Sequence, residues 1–270
     1  MPISSAGNIK LEHYIEGDGP PLLMIRGFGS SAAAWGGPFL KRLRGVFSCI
    51  RFSNRGTGQS EAPPEETTIR KMADDAANLL SALEIKRAHV FGVSMGGMIA
   101  QEFALAHPEL VNGLVLGCTT PGGPNAATAS AEILQMLTPA PGTTREEQIR
   151  ATWPALCASA FLRNNREFLE AMLSEALVHP TPLETIVKQM AAVREFDAYD
   201  RLGQIRAPTL VVHGDMDVLI PPANGALLQE RIPGAEMVQI PGVGHMFWWE
   251  KPEESAQAIV KFLSRVPSPA

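Results

Sequence analysis

Short apolar runs alternate along this chain with longer segments in which apolar residues return every three or four positions. The runs at 21–26 (PLLMIR), 46–52 (VFSCIRF), 88–93 (AHVFGV), 114–118 (LVLGC) and 209–213 (TLVVH) are too continuous for strands with one wet face. They read as buried strands, with 237–240 as the last. Segments 32–43, 69–83, 97–106, 223–231 and 253–263 have the length and spacing of helices. This alternation predicts an α/β fold, with a mostly parallel central sheet flanked by helices. Residues 9–15 (IKLEHYI) alternate instead, which predicts an antiparallel edge strand opening the sheet.

One stretch breaks the rhythm. From 119 to 199 there is no convincing strand, only helical patterns at 126–137, 145–158, 165–178 and 183–196, separated by proline- and glycine-rich turns at 121–124, 139–142 and 179–182. The pattern predicts a core in two parts, 1–118 and 200–270, with a helical cap inserted at 119–199.

The composition narrows the class of partner. With 270 residues, 45% hydrophobic and 19% charged, the chain has the means to bury one large core. Its net charge is −5, and no run of lysine or arginine tracks a phosphate backbone or an anionic bilayer, so nucleic acid and membrane are not expected partners. No apolar stretch approaches the roughly 20 residues that span a bilayer, and residues 1–10 lack the apolar core of a signal peptide, so a cytoplasmic location is expected. Cys49, Cys118 and Cys157 lie in apolar segments without metal-site spacing; they read as reduced packing residues, and no metal is expected.

The candidate chemistry lies in four loops. Gly92-Val93-Ser94-Met95-Gly96 places a serine between a predicted strand and a predicted helix, on a turn tight enough to expose its hydroxyl. His245, in the glycine-rich loop 241–246 after the last strand, has the best setting of the six histidines to act as its general base. His13, His89, His107, His179 and His213 read as structural or surface residues. The acidic turn after the strand at 209–213 offers Asp215 and Asp217, which compete for the role of orienting the imidazole. The Met95 amide opens a helix, and the Phe28 amide lies in the glycine-flanked loop after the strand at 21–26; together they form a candidate oxyanion hole. The order serine, acid, histidine separates this arrangement from those of other serine-hydrolase folds.

These motifs resemble those of the α/β-hydrolase superfamily, in its capped esterase, lactonase and C–C-bond hydrolase branch, from about Ile9 to Leu263. Arg55-Gly56-Thr57-Gly58-Gln59-Ser60 is similar to that branch's Arg-Gly-x-Gly-x-Ser turn, and 210–221 to its acid turn, in which the second aspartate, here Asp217, is the triad member. The stretch 89–124 most resembles 3-oxoadipate enol-lactonase-like hydrolases. The resemblance implies a Ser94–His245–Asp217 hydrolase that cleaves a small ester or lactone through an acyl-enzyme, without a cofactor. C–C-bond hydrolysis and perhydrolysis use the same triad, and a ligand-binding module that has kept only the fold is the rival from another class.

Members of the branch commonly carry His-Gly where this chain has Arg26-Gly27. Arg26 is expected either to brace the acid loop, through Asp215, or to pair with a carboxylate on the substrate. Trp153, with Phe161 and Met172, is a candidate for the apolar wall of the cap, although all three also suit helix packing. Trp248 and Trp249 either border the acyl pocket or anchor the final helix.

Overall fold

The computed structural model describes residues 2–137, 142–178 and 180–267; most of the expected turn at 139–142, and His179, lie outside the described residues. Eight strands form one sheet: β1 (Ile3–Ala6), β2 (Ile9–Glu16), β3 (Pro21–Ile25), β4 (Ser48–Phe52), β5 (Ala88–Val93), β6 (Val111–Gly117), β7 (Thr209–Gly214) and β8 (Glu236–Ile240). Their order is β1-β2-β4-β3-β5-β6-β7-β8. β1 and β2 form an antiparallel hairpin, β2 pairs antiparallel with β4, and every pair from β4 to β8 is parallel.

Continuous apolar runs make these strands because both faces of the sheet are covered. On β3, Leu23 and Ile25 enter one core with Ile50, Val90 and Leu116, closed by α2 (Ile69–Ala82) and α3 (Met95–Ala106). Leu22 and Met24 point the other way, into a core with Phe91, Val115 and Val212, closed by α1 (Gly37–Arg44) and α11 (Pro252–Leu263). The period-2 geometry of a strand therefore assigns alternate residues to two separate cores.

Between β6 and β7 the chain forms α4 (Ala131–Met136), α5 (Arg145–Leu156), α6 (Ser159–Asn164), α7 (Arg166–Val178) and α8 (Leu183–Glu195). After β7 come α9 (Ala223–Arg231), then β8, then α10 (Phe247–Glu250) leading into α11. No described helix is long and apolar enough to cross a membrane.

Several boundaries differ from the sequence pattern, each for a local reason. The helix expected at 32–43 is a 3-10 turn, Ala32–Trp35, followed by α1, because Gly36 at φ 82° breaks the path and Pro38 starts a new helix. β6 begins at Val111, before the expected 114, since the turn Pro108–Leu110 delivers the chain straight into the strand. The helix expected at 145–158 stops at Leu156 because Cys157 is extended, which frees the chain to start α6. β1 was not expected; Gly7, at φ 67°, folds it back onto β2.

The turn after β4 is tied to the body by a buried ion pair. Arg55 Nε and Nη2 donate to the two carboxylate oxygens of Asp75 on α2 at 2.7 and 2.8 Å, and both side chains are 6% exposed. Asp75→Ala leaves a buried guanidinium unpaired and is expected to cost about 3–5 kcal/mol, whereas the double variant Asp75→Ala/Arg55→Met should recover a large part of that loss. Urea-unfolding midpoints of the two variants and the wild type check this.

Candidate active site

Ser94 joins β5 to α3 at φ 57° and ψ −126°, a conformation that costs a non-glycine residue about 1–3 kcal/mol. The crossing is too close for side chains. A Cβ on Gly92 would run into the Gly96 carbonyl oxygen, and one on Gly96 into the Ile25 carbonyl oxygen. Strand and helix then fix the turn between them: the Ser94 amide donates to the Gly117 carbonyl at 2.9 Å, and the Ser94 carbonyl accepts from Gly97 at 2.8 Å, Met98 at 3.2 Å and the Thr119 hydroxyl at 2.7 Å. The hydroxyl itself makes no hydrogen bond with the described residues, and the residue is half-buried.

Asp217, in the turn after β7, is the acid that meets His245. Its Oδ2 accepts from His245 Nδ1 at 2.8 Å, and its Oδ1 accepts the amides of Leu219 and Ile220, each at 2.9 Å. Asp215 does something else: it is exposed, and its Oδ1 accepts the Gly242 amide in the histidine loop. With the Met216 amide on the Val243 carbonyl, this stitches the acid turn to the loop that carries His245.

Burial alone would raise the Asp217 pKa, but the imidazoles of His245 and His213 outweigh it and hold the carboxyl at about 2. Burial likewise works against a charged His245; the Asp217 carboxylate, with a smaller contribution from Cys118, overrides it and raises the imidazole well above the usual histidine range. Nδ1 therefore carries a proton toward Asp217, which leaves Nε2 as the site that gains or loses one.

Two neighbours of this pair were not expected from the sequence. His213, fully buried at the end of β7, places Nε2 3.3 Å from Asp217 Oδ2 and 2.8 Å from the Ile220 carbonyl. Its i, i+4 spacing from Asp217 across the turn was the available signal. Cys118, expected as packing alone, is fully buried just after β6, near enough to the His245 imidazole to bear on its charge, and its amide donates to the Val212 carbonyl at 2.9 Å. Cys49 and Cys157 are buried and unpaired, as packing residues would be.

The loop after β3 lies against the serine: a Cβ on Gly27 would be 3.0 Å from Ser94 Cβ. The amides of Phe28 and Met95 donate to no carbonyl or side chain of the described residues. The loop is held from the helical segment above it, where Gln189 of α8 accepts the Gly29 amide at 2.9 Å and the Thr181 hydroxyl donates to the Gly29 carbonyl at 2.9 Å. A second tie runs through Glu250, whose two oxygens accept the amides of Gly244 in the histidine loop, at 2.9 Å, and of Ala158 at the start of α6, at 3.0 Å. Nothing local in the sequence pointed to Gln189, which acts across 160 positions of chain, or to the tie that Glu250 makes, since one of its two partners is 92 positions away.

One expectation is corrected. Arg26 does not brace the acid loop: its Nη2 reaches only the Ser30 hydroxyl, at 3.3 Å, and its guanidinium lies between the rings of Trp35 and Trp248, while Asp215 is already engaged with Gly242. Trp153, half-buried on α5, lies under the Arg150 guanidinium, 5.2 Å from the ring centre. Phe161 and Trp249 instead meet Phe168 of α7 edge-on, at 5.9 and 5.4 Å. Met172 is half-buried on α7.

His13 and His89 are buried in strands, with burial lowering the His89 pKa to about 4, and His107 bonds Asp74 at 2.7 Å.

A sequence model of the α/β hydrolase fold family matches residues 20–252. The chain belongs to that family. At the level of the family it is a hydrolase. It is 29% identical over 266 residues to RutD of Azorhizobium caulinodans, a protein named for carbamate hydrolysis, with 98% of this chain and 99% of that one covered. It is 32% identical to BpoC of Mycobacterium tuberculosis, named as a non-heme bromoperoxidase, over 96% of this chain and 99% of that one. The solved enol-lactonase of Burkholderia xenovorans superposes with a TM-score of 0.86 at 25% identity, covering 98% of this chain and all of the other (100%).

The electrostatics make a prediction that needs no substrate. In wild type, His245 should titrate above 6.5, since Asp217 stabilises its charged form; in Asp217→Asn burial acts without that charge, and the value should fall. Histidine ring resonances followed by NMR through a pH titration of both proteins measure the two values.

Proposed function

We propose that the chain is a serine hydrolase that cleaves a small carboxylic ester or lactone through an acyl-enzyme. The observation that carries this reading is the 2.8 Å Asp217–His245 bond, taken together with a serine held on a strained turn at the end of β5. His245 Nε2 takes the Ser94 proton as the hydroxyl attacks the carbonyl, and the Asp217 carboxylate stabilises the imidazolium that forms. The Phe28 and Met95 amides receive the oxyanion, with the dipole of α3 favouring negative charge at the Met95 end. Collapse breaks the bond to the alcohol, which leaves with the proton from His245. Water, deprotonated by the same imidazole, then attacks the acyl-enzyme, and the acid departs as Ser94 recovers its proton. Three side chains and two amides account for every bond and proton, so the scheme calls on no cofactor.

The similarity to an enol-lactonase over nearly the whole chain supports the lactone arm of this reading. The similarity to a protein named as a bromoperoxidase supports testing peroxide as an alternative to water in the second half-reaction. A panel of nitrophenyl esters, lactones, carbamates and vinylogous diketones, run with and without peroxide, ranks the acyl acceptors and donors. Ester or lactone turnover that is abolished by no change at Ser94 would sink the proposal.

Two variants make this quantitative. Ser94→Ala should lower turnover by roughly 10⁴-fold or more and abolish labelling by a fluorophosphonate, with the unfolding midpoint little changed, because alanine keeps the Cβ and the same backbone strain. Asp217→Asn should cost about 10⁴-fold in kcat, and Asp215→Asn far less, since only Asp217 sets the imidazole tautomer. Equal losses at the two aspartates would contradict the assignment.

A further inference from the structure

Arg26 is a buried cation without a buried anion. Only 3% exposed, it forms no ion pair with the described residues, and the sole hydrogen bond of its guanidinium among them is the 3.3 Å contact from Nη2 to Ser30. Nε and Nη1 are enclosed without an acceptor. The fold does not treat its other enclosed guanidinium groups this way: Arg55 is matched by Asp75, and Arg51 by Glu16 and the Ala32 carbonyl. Burial lowers the Arg26 pKa to about 10, so the group is still charged at neutral pH.

The groups around it compound the imbalance. Arg26 lies 5.1 Å from the Trp35 ring centre and 4.9 Å from that of Trp248, and Trp249 packs against Trp248 at 6.5 Å. The indole nitrogens of all three tryptophans are also buried without an acceptor. Arginine and tryptophan side chains only donate, so these groups cannot satisfy one another. The two ring contacts return about 0.5–2 kcal/mol each, against several for stripping water from an ion. What the cluster lacks is an acceptor that carries negative charge.

Its position says which acceptor. Arg26 precedes Gly27, on which a Cβ would lie 3.0 Å from Ser94 Cβ, and its own carbonyl lies against Gly96 of the serine turn. Ser30, at the Nη2 edge, and Trp249 are half-buried and form the sides of the cluster nearest solvent. A guanidinium presents its N–H groups in a planar fork that matches the two oxygens of a carboxylate.

Resting on the hydrolase reading above, we propose that Arg26, flanked by Trp35, Trp248 and Trp249, receives a carboxylate borne by the substrate, so that the ester or lactone cleaved at Ser94 is an anionic one. The same arrangement explains why a charge is buried here at a cost to the fold.

The test compares p-nitrophenyl hemiesters of glutaric and adipic acid with p-nitrophenyl pentanoate and hexanoate, which match them in chain length without the charge; acetoxybenzoates place the carboxylate on the alcohol side. Wild type should favour at least one anionic set. Arg26→Met should lose about 10- to 100-fold in kcat/KM on that set, mainly through KM, and less than about 3-fold on the neutral esters. Its melting temperature should be no lower than that of wild type, since an unpaired buried charge has been removed. Arg26→Lys, which keeps the charge but not the fork, should fall between.

Equal losses on charged and neutral esters, a wild type indifferent to the carboxylate, or a destabilised Arg26→Met without charge selectivity would each overturn the proposal. Failure of the hydrolase reading is seen separately, as absence of fluorophosphonate labelling and of any ester turnover. In that event adipate and benzoate, titrated against tryptophan fluorescence, still decide the anion site: saturable change in wild type but not in Arg26→Met supports it, and no change in wild type refutes it.

Discussion

The buried carboxylate of Asp217 is the constraint around which this end of the sheet is arranged. An ion removed from water is tolerated only when its lone pairs are answered, and Asp217 is answered by two amides of its own turn, by His245 and by His213. Each partner fixes a piece of chain. The amides shape the turn after β7, His213 ties that turn to the strand, and His245 brings the loop after β8 across the sheet edge. The imidazole orientation that acyl transfer needs thus follows from the requirement to satisfy one buried charge.

The serine has the opposite economy. Its strained turn is stabilised by nothing the side chain does; it persists because β5, α3 and the end of β3 pack so closely that glycine is needed at 92 and 96. Strain at Ser94 and satisfaction at Asp217 are complementary in the mechanism we propose, since one presents a hydroxyl without partners among the described residues and the other holds the proposed base. The helical segment between β6 and β7 joins the two halves. Gln189 and Thr181 grip the loop beside the serine, while Glu250 binds Ala158 to the histidine loop. Movement of those helices would therefore be felt both at the loop after β3 and at the loop that carries the imidazole.

Most of the sheet was legible from the sequence because fully buried parallel strands leave uninterrupted apolar runs, and the elbow was legible because a close crossing demands glycine at fixed offsets from the serine. Asp217 was separable from Asp215 only by resemblance; the residues alone left both open, and the distinction lies in a contact across 28 positions of sequence. Gln189 stayed hidden for the same reason, since the amide it accepts is 160 positions away, and Glu250 in part, since Ala158 is 92 positions away; His213 has its partners within seven residues, but a lone histidine before an acidic turn carries no sign of which carboxylate it will meet. The split of the first helix at Gly36 was readable in principle, from a glycine pair followed by proline, yet the apolar spacing across it dominated the pattern.

Arg26 shows how a departure from a family pattern gains meaning once both buried charges are set side by side. Asp217 and Arg26 lie in the same end of the molecule, each about as enclosed as the other, at 3% exposure. The chain supplies Asp217 with four donors and gives Arg26 one distant hydroxyl. A neutral residue at position 26 would leave the two cores intact and relieve the desolvation of an ion, so fold stability does not account for the arginine. Shape does not account for it either, because the flanking tryptophans would pack as well on an aliphatic chain of similar length. What remains is an interaction completed from outside the protein, by a group that brings its own negative charge. The place where that charge would rest, beside the residues that hold the serine and the imidazole, makes it part of the molecule on which they act.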